Sequence, residues 1–568
     1  MAEYLRTGQQ RPQRTLARWV MDRESALREA RYLWDPDYQD ITNLMAPFCA
    51  DTLTPRSLGS SRTRQIFDAT GMHALQKLAA NLQGEVTNAA IDWHRLQLRE
   101  EGLREDQETN AWLSAVNTHL LALYGASNFY QSMHTFYLNY AAFGTAALFI
   151  GDAQSLQSGY APGVAFHPIP HGTYVVGENA DGVVRTLIRR CRFTPVQALQ
   201  MFRDGCSEKT RERLDSPMLM DVPQTYLHAI WERETSRPGS MNNKEFPIAS
   251  AYIEQETQHL CDESGYLEWP CPVARWEKLS DAPWGFGPGH MALPDVRTLN
   301  LMKELQIQML TLWVQPPLKQ VAESVFGAVS LEPLAINIVK RPDDLMPMEL
   351  GGRPDLVQIS QQDLRQSIND TFFVAQLDAL PAPEQGRMTA YEVAQRLGIR
   401  ARLLGPAFHR LLVEALNPTI DRVFGLEWRK QQIPLPPTQV LEAAARHQGQ
   451  IDIEYLGPLA RAQKSADVQS ITQIYAVGAQ IMQSTQRSEL FDVIDEDLAI
   501  RKAADAANVP PELIRDSLAV AKLRAARQAA HAQLQQGQQM QQVAQSLGQV
   551  APFVTALQRG QPTQGQAA

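Results

Sequence analysis

No Cys-x-x-Cys spacing occurs in the 568 residues. The five cysteines, Cys49, Cys191, Cys206, Cys261 and Cys271, are odd in number and scattered. That argues against a disulfide framework or a structural zinc centre and favours reduced, mostly buried thiols. No Gly-Lys dipeptide occurs, so the chain has no Walker-type phosphate loop and no ATP hydrolysis by that route. The H-E-x-x-H and G-x-S-x-G patterns are absent as well. The longest apolar run, about residues 141–150, is far short of the ~20 residues a membrane helix needs. Met1-Ala2-Glu3-Tyr4 is not the basic-then-apolar opening of a secretory signal. The expectation is a soluble protein made in the cytoplasm, with no membrane partner. A cationic excess is also missing: the net charge of -9 argues against a uniform nucleic-acid coat and leaves only local patches.

What is present is ordinary globular composition, 44% hydrophobic and 20% charged, which excludes a wholly disordered chain. The length is too great for one core and predicts roughly three to four domains. The pattern is α+β and helix-rich. Helical periodicity runs over 14–34, where Asp35-Pro36-Asp37 ends it, and over 68–90, 107–123 and 129–142. Strand patterns cover 93–98, 146–150, 164–193, 225–234 and 246–256, with a hairpin signal at Asn179–Gly182. Thr194-Pro195 reads as an N-cap and first helical position. The corner Gly285-Phe286-Gly287-Pro288-Gly289 feeds a helix expected from Pro294 to about Val314, a rod of roughly 30 Å. Pro316-Pro317 stops it. Short β-like pieces follow in 318–360, then a helix over 361–377 and a Pro/Gly-rich loop over 378–387. Thr389 and Glu392 form a capping box. The helix they open reaches about Arg429, and Pro406 and Pro418 are expected to bend it. Ile433–Pro437 is a linker, 459–532 is helical, and the Gln-rich 533–568 reads as disordered.

Chemistry is sparse. Gly285-x-Gly287-x-Gly289 lacks the βαβ context of a nucleotide loop, and a helix entry explains it better. His167 and His171 flank a Pro-rich turn without a third ligand, so a metal is not expected. Asp343-Asp344 and Asp495-Glu496-Asp497 lie where elements change, the usual place for solvated or capping acids. No cofactor is expected. Lys319, Lys340, Arg341 and Arg353 gather in the β-like insert, and Arg387 stands in the loop beside Glu384 and Gln385. Singly these are surface charges; set around a ring they could face phosphates.

Three segments together resemble one family. They are Trp284–Asn300 with its A-L-P-D…L-N run, Arg387–Arg396 continuing through Leu404-Gly405-Pro406 to Glu414, and Glu454–Lys464. In this order they are similar to the portal, or head-to-tail connector, proteins of short-tailed bacteriophages. The resemblance spans most of 14–530 and leaves the Gln-rich tail out.

The resemblance implies a portal fold assembled as a ring, normally of twelve copies, around a central channel. Mapped onto this chain, the wing is 1–288, the first stem helix 289–315, the clip 316–360 and the second stem helix 361–377. The tunnel loop is 378–388, the long kinked wing helix 389–436, the helical crown 437–532 and the tail 533–568. The implied function is non-enzymatic passage of double-stranded DNA at the capsid vertex of the virion. Arg387, Gln385 and Glu384 would line the tunnel loop, and Lys319, Lys340, Arg341 and Arg353 would be basic positions of the clip. The implied partners are the terminase large subunit, capsid and scaffolding proteins, tail adaptor and nozzle proteins, and internal core or ejection proteins. The competing readings are another head–tail adaptor or scaffold, which would lack the stem–insert–stem order, and a metal-dependent nuclease, for which no carboxylate cluster has catalytic spacing.

Overall fold

The computed structural model describes residues 13–53, 56, 59–99, 106–152, 163–237, 239–279, 282–314, 318–320, 325–326, 338–339, 341, 343, 345–347, 354–374, 405–445, 451–456, 473–477, 496–506, 515 and 520–533. Two compact units share the chain. The first takes residues 1–95, 116–434 and 453–467, and the second takes 96–115, 435–452 and 468–568.

The helices α1 (Gln13–Arg31), α2 (Asp35–Leu44) and α3 (Thr70–Val86) come first. Asp35-Pro36-Asp37 does more than end α1. Pro36 needs no N–H in a first turn, and two aspartates suit the positive end of a helix dipole, so the same residues start α2. Next come β1 (His94–Leu98), α4 (Gln107–Ala126), α5 (Phe129–Phe143), β2 (Thr145–Asp152) and β3 (Val164–Ile169). Then β4 (Tyr174–Glu178) turns into β5 (Val184–Phe193) at the expected hairpin. The Asn179 side chain accepts from the backbone of Asp181 and Val183, and Gly182 takes φ +74°. Thr194 and Gln197 form a reciprocal capping box at the head of α6 (Pro195–Phe202). After α7 (Glu208–Leu214) come β6 (Gln224–Glu232), β7 (Ile248–Glu254) and β8 (His259–Tyr266). The pieces β9 (Val273–Arg275), β10 (Glu277–Lys278) and β11 (Gly285–Phe286) lead into α8 (Pro288–Val314).

Strands β4 to β8 make an antiparallel five-stranded meander, and β3-β2-β9 a three-stranded sheet. Alternation along each strand sends side chains to both faces of the meander. Tyr174, Val176, Leu187 and Ile230 pack with Ala147, Phe149, Trp269 and Trp284. Val175, Ile188, Leu227 and Ala251 take Leu16, Ala17 and Val20 of α1. Phe202 and Cys206 cover Tyr226 and Tyr252 at one end. The cysteines are free thiols, and burial pushes Cys271 up to about 12, which keeps it unreactive.

The helix expected to start at Pro294 starts at Pro288, so Pro294 lies inside it and Asp295 is not in its first turn. In the 318–360 segment β12 (Leu318–Gln320) pairs with β15 (Leu345–Pro347), and β13 (Val325–Phe326) with β14 (Ile338–Val339). The helix expected over 361–377 is α9 (Pro354–Thr371). The expected loop 378–388 and the capping box at Thr389 lie outside the described residues. From residue 405 the chain is helical, opens into a π turn at Leu412–Leu416, and continues as α10 (Asn417–Arg429). Pro418 has no N–H for the Glu414 carbonyl, and the wider turn just before it absorbs the mismatch.

In the second unit, α11 (Thr438–Ala445) and α12 (Glu496–Ala506) are helical, as are 473–477 and 520–533. Arg99, just after β1, pairs with Asp452 of β16 (Ile451–Tyr455) at 2.9 Å. Arg524 pairs with Asp497 at 2.6 Å.

Candidate functional site: the root and faces of the long helix

The root of α8 is a close meeting of backbones. Gly144 ends α5 at φ +64°, a conformation that favours glycine. An added Cβ there would meet Gly287 N at 2.5 Å and Gly285 O at 2.6 Å. A Cβ on Gly289 would fall inside the Ala142 carbonyl. Thr145 Oγ1 accepts from Gly285 N at 2.7 Å, and Gly144 O from Trp276 N at 2.8 Å. These glycines let a helix end, a strand and a helix start touch.

Around them sits a buried aromatic nest. His171 stacks on Phe143 with ring centres 4.3 Å apart and meets Tyr38 at 4.2 Å. His290, in the first turn of α8, lies against Tyr38, Trp34 and Phe286. Burial pushes His290 down to about 4 against a small pull from Asp37. Burial, then the charges of Arg31 and His290, hold His171 well below the usual histidine range. Both rings are therefore neutral at neutral pH.

Polar ties fix the helix above the nest. Arg297 bridges Asp37 and Asp40. Asn300 accepts from Phe67 N at 2.7 Å and donates to Gln65 O at 2.9 Å. Arg365 of α9 reaches Asp68 at 2.7 Å. Burial alone would raise Asp68, but hydrogen bonds from Thr70 and Arg365 outweigh it and hold the carboxyl low. Ser367 donates to Asp295 at 2.6 Å, and Gln361 to Gln306 at 3.1 Å, so α9 is fastened along α8.

Arg275 ties the π turn to the same region. Its guanidinium reaches Glu414 at 2.6 Å and also holds Glu178, while its backbone N–H donates to Glu414 at 2.9 Å. Burial would lower Arg275, but the hydrogen bonds and charge of Glu414 and Glu178 prevail and hold it up.

Higher up, α8 and α9 turn distinct faces outward. On α9, Ile359, Gln362, Asp363, Gln366, Ser367 and Asp370 are exposed, with no lysine or arginine among them. On α8, large apolar side chains are exposed from Leu301 to Val314, the last to 81%. A soluble single chain rarely leaves such a run open without a partner for it.

A family model described as bacteriophage head to tail connecting protein matches residues 18–514. The chain belongs to that family. This head-to-tail connector is 28% identical over 532 residues to the portal protein of Salmonella phage epsilon15, covering 91% of this chain and 92% of that one. It is 27% identical over 523 residues to a probable portal protein of Bordetella phage BPP-1, covering 90% and 91%. Among solved structures, the neck of an empty GTA particle aligns with 74% of the connector and 92% of that chain, at 12% identity and a TM-score of 0.30. The virion of a native gene transfer agent gives 11% identity and a TM-score of 0.32, covering 74% and 91%. Connectors are structural parts of the virion, placed where head meets tail, and that is the location of this chain.

The basic and loop residues singled out from sequence are not brought together by the described structure. Lys319 lies on β12 opposite Met346, and Arg341 is exposed. Lys340, Arg353, Glu384, Gln385 and Arg387 lie outside the described residues. His167 and His171 turn to different neighbours, Phe149 and Phe143. Among the described residues no three His, Cys, Asp or Glu side chains are grouped to hold a metal. No described helix is long and apolar enough to cross a membrane. One Ser–His contact exists in the meander, with the wrong polarity for a nucleophile. Arg189 Nε donates to His228 Nδ1 at 3.0 Å, so Nε2 carries the hydrogen and donates to Ser250 Oγ at 3.0 Å. An activated serine needs the reverse, and both groups are fully buried. Sequence reasoning did not find the Arg275–Glu414 tie or the Tyr38–His171–His290 nest, because no local pattern announces contacts between segments so far apart.

Proposed function

We propose that this connector is the portal: a ring of copies, twelve by analogy with the family, around a channel that double-stranded DNA crosses during packaging and ejection. The observation that carries the reading is the exposed face of α9, which carries amide, hydroxyl and carboxylate groups around Ile359 and no lysine or arginine among its exposed residues. DNA carries one charge per ~1.7 Å of axis, and each lysine or arginine bound to a phosphate adds salt-dependent affinity. A wall of Gln362, Asp363, Gln366, Ser367 and Asp370 would repel or ignore phosphates and let the duplex slide. In this layout α8 and α9 form the stem, residues 1–287 with 389–436 the wing, the segment between α8 and α9 the clip, and 437–532 the crown. Lys319, Lys340, Arg341 and Arg353 are the clip positions offered to the packaging terminase and then to tail adaptors. Arg387, with Gln385 and Glu384, belongs to the tunnel loop 378–388 that narrows the bore.

The connector would supply the conduit, and the motor would supply ATP hydrolysis. Electron micrographs of the purified protein test this directly: top views should show a closed ring with a central opening, and the protein alone should leave ATP intact. A stable monomer at micromolar concentration, or ATP turnover without a motor, would overturn the proposal.

A further inference from the structure

Away from α8, one short stretch leaves apolar side chains uncovered. Between α7 and β6 run Ser216-Pro217-Met218-Leu219-Met220-Asp221-Val222-Pro223. Met218 is 86% exposed, Leu219 43% and Val222 44%. Three such side chains so close in sequence make an apolar tip rather than scattered surface residues. The tip is also built to keep its shape. Ser216 N donates to Arg213 O, Leu219 N and Met220 N donate to Ser216 O, and Val222 N donates to Leu219 O. Pro217 and Pro223 fix the backbone near both ends. Gln224, the next residue, is buried and accepts from Thr210 Oγ1 at 3.0 Å and from the Tyr226 hydroxyl at 2.9 Å. At the other root Arg213 holds Glu256 at 2.9 Å. A finger already ordered loses little freedom on binding.

Charge indicates what the finger fits. Glu212, Asp215 and Asp221 are exposed in and beside it, and none of them is paired with a cation among the described residues. The cations of α7 are engaged elsewhere: Lys209 and Arg213 by Glu256, and Arg211 by the Asp204 carbonyl. A collar of carboxylates turns DNA phosphates away. Two hollows in the described part of this chain also carry acids, Glu85 in one and Asp363 with Asp370 in the other. Neither would seat an acidic finger from a second copy. We infer that the 216–223 finger docks a different protein of the particle, pressing Met218, Leu219 and Val222 into an apolar cleft whose rim carries lysine or arginine. The inference rests on the chain's place in the virion and on neither the ring nor the channel.

Photo-cross-linking in assembled particles tests this. Particles are grown with Met218 of this chain replaced by p-benzoylphenylalanine and irradiated, and the joined peptides are sequenced by mass spectrometry. The expected peptide belongs to another protein and sets lysine or arginine beside apolar residues. That protein, purified, should bind the unaltered full chain in titration calorimetry, more weakly as salt rises. M218E should weaken the binding at least tenfold. Met241, in the β6–β7 loop, is 97% exposed, so M241E places the same charge on an equally open methionine and should change the affinity less than twofold. Circular dichroism should show both variants folded, since neither side chain is buried. An adduct only to this chain's own peptides or to DNA, no adduct at all, or equal losses in M218E and M241E would overturn the inference. So would purified M218E failing to form the assemblies of the unaltered protein, because the finger would then join copies. Absence of rings in the unaltered protein would instead remove the ring reading and leave the finger standing.

Discussion

Alanine at Gly144, Gly239 and Gly289, one at a time, separates two costs at the root of α8. Gly239 takes φ +79° in open space, so an alanine there meets only the left-handed backbone cost, about 1–2 kcal/mol before a partial offset from the stiffer unfolded chain. Gly289 has no such φ, but its new methyl would press on the Ala142 carbonyl. Backbone on both sides cannot step aside as a flexible side chain would, and overpacking of this kind costs roughly 1–3 kcal/mol. Gly144 carries both burdens: φ +64°, and three backbone atoms at 2.5, 2.6 and 2.7 Å from the added carbon. The expected losses are about 1 kcal/mol for Gly239→Ala, about 1–3 for Gly289→Ala, and about 2–5 for Gly144→Ala. Thermal unfolding should be followed by tryptophan fluorescence, since Trp284 is buried beside the corner. The first unit holds about 430 residues, so at about 2.1 cal/mol/K per residue each kcal/mol moves the midpoint by about 1 °C, and the midpoints should fall in the order Gly239→Ala, Gly289→Ala, Gly144→Ala. Gly144→Ala melting no lower than Gly239→Ala in replicate scans would refute the close-approach account, and the corner would then be an ordinary turn.

Two further outcomes follow from buried charge. His290 sits at about 4 in the folded chain against 6.5 for the free group. The unfolded chain therefore binds the extra proton first, and stability falls as pH drops below about 6.5 toward 4, by about 2 kcal/mol between pH 7.5 and 5 for this one group. Urea unfolding across that range should show it, and His290→Asn should flatten the slope; an unchanged slope would remove His290 from the account. Arg275→Met should cost about 3–5 kcal/mol, because it strands the Glu414 carboxylate, while Glu178 keeps Lys278 at 2.9 Å. Adding Glu414→Gln to Arg275→Met should recover part of that loss in the same urea assay; a double variant no more stable than Arg275→Met would show that the tie is not the source.

Much of the first unit could be read in one dimension. The hairpin at Asn179–Gly182 and the cap at Thr194 are local hydrogen-bond devices, and local devices leave local marks. Pro294 misled because proline near a helix start is the usual reading, whereas Pro288 had already taken that place. The glycines before it looked like turn residues. In the structure Gly287 and Gly289 are needed for what they touch, the backbone of α5 and its cap, and a touching distance has no sequence pattern. The exposed face of α9 follows from which side α8 covers, and that is set by contacts between the two helices such as Ser367–Asp295 and Gln361–Gln306, not by a local pattern. Arg275 could not be paired with Glu414 from sequence, because ion pairs across 139 positions follow from sheet and helix placement alone.

The burial gradient along α8 has a consequence for assembly. Leu299 is 1% exposed, Leu305 53% and Val314 81%. The root is satisfied within one chain, and the remainder is not. Covering the exposed parts of the six aliphatic side chains Leu301, Leu305, Ile307, Leu310, Leu312 and Val314 would contribute about 1 kcal/mol each at half burial, so about 6 kcal/mol in all. Association of two bodies costs an estimated 4–15 kcal/mol in lost freedom. This stretch of α8 is therefore marginal as a joint by itself, and an assembly needs further buried surface from the rest of the chain.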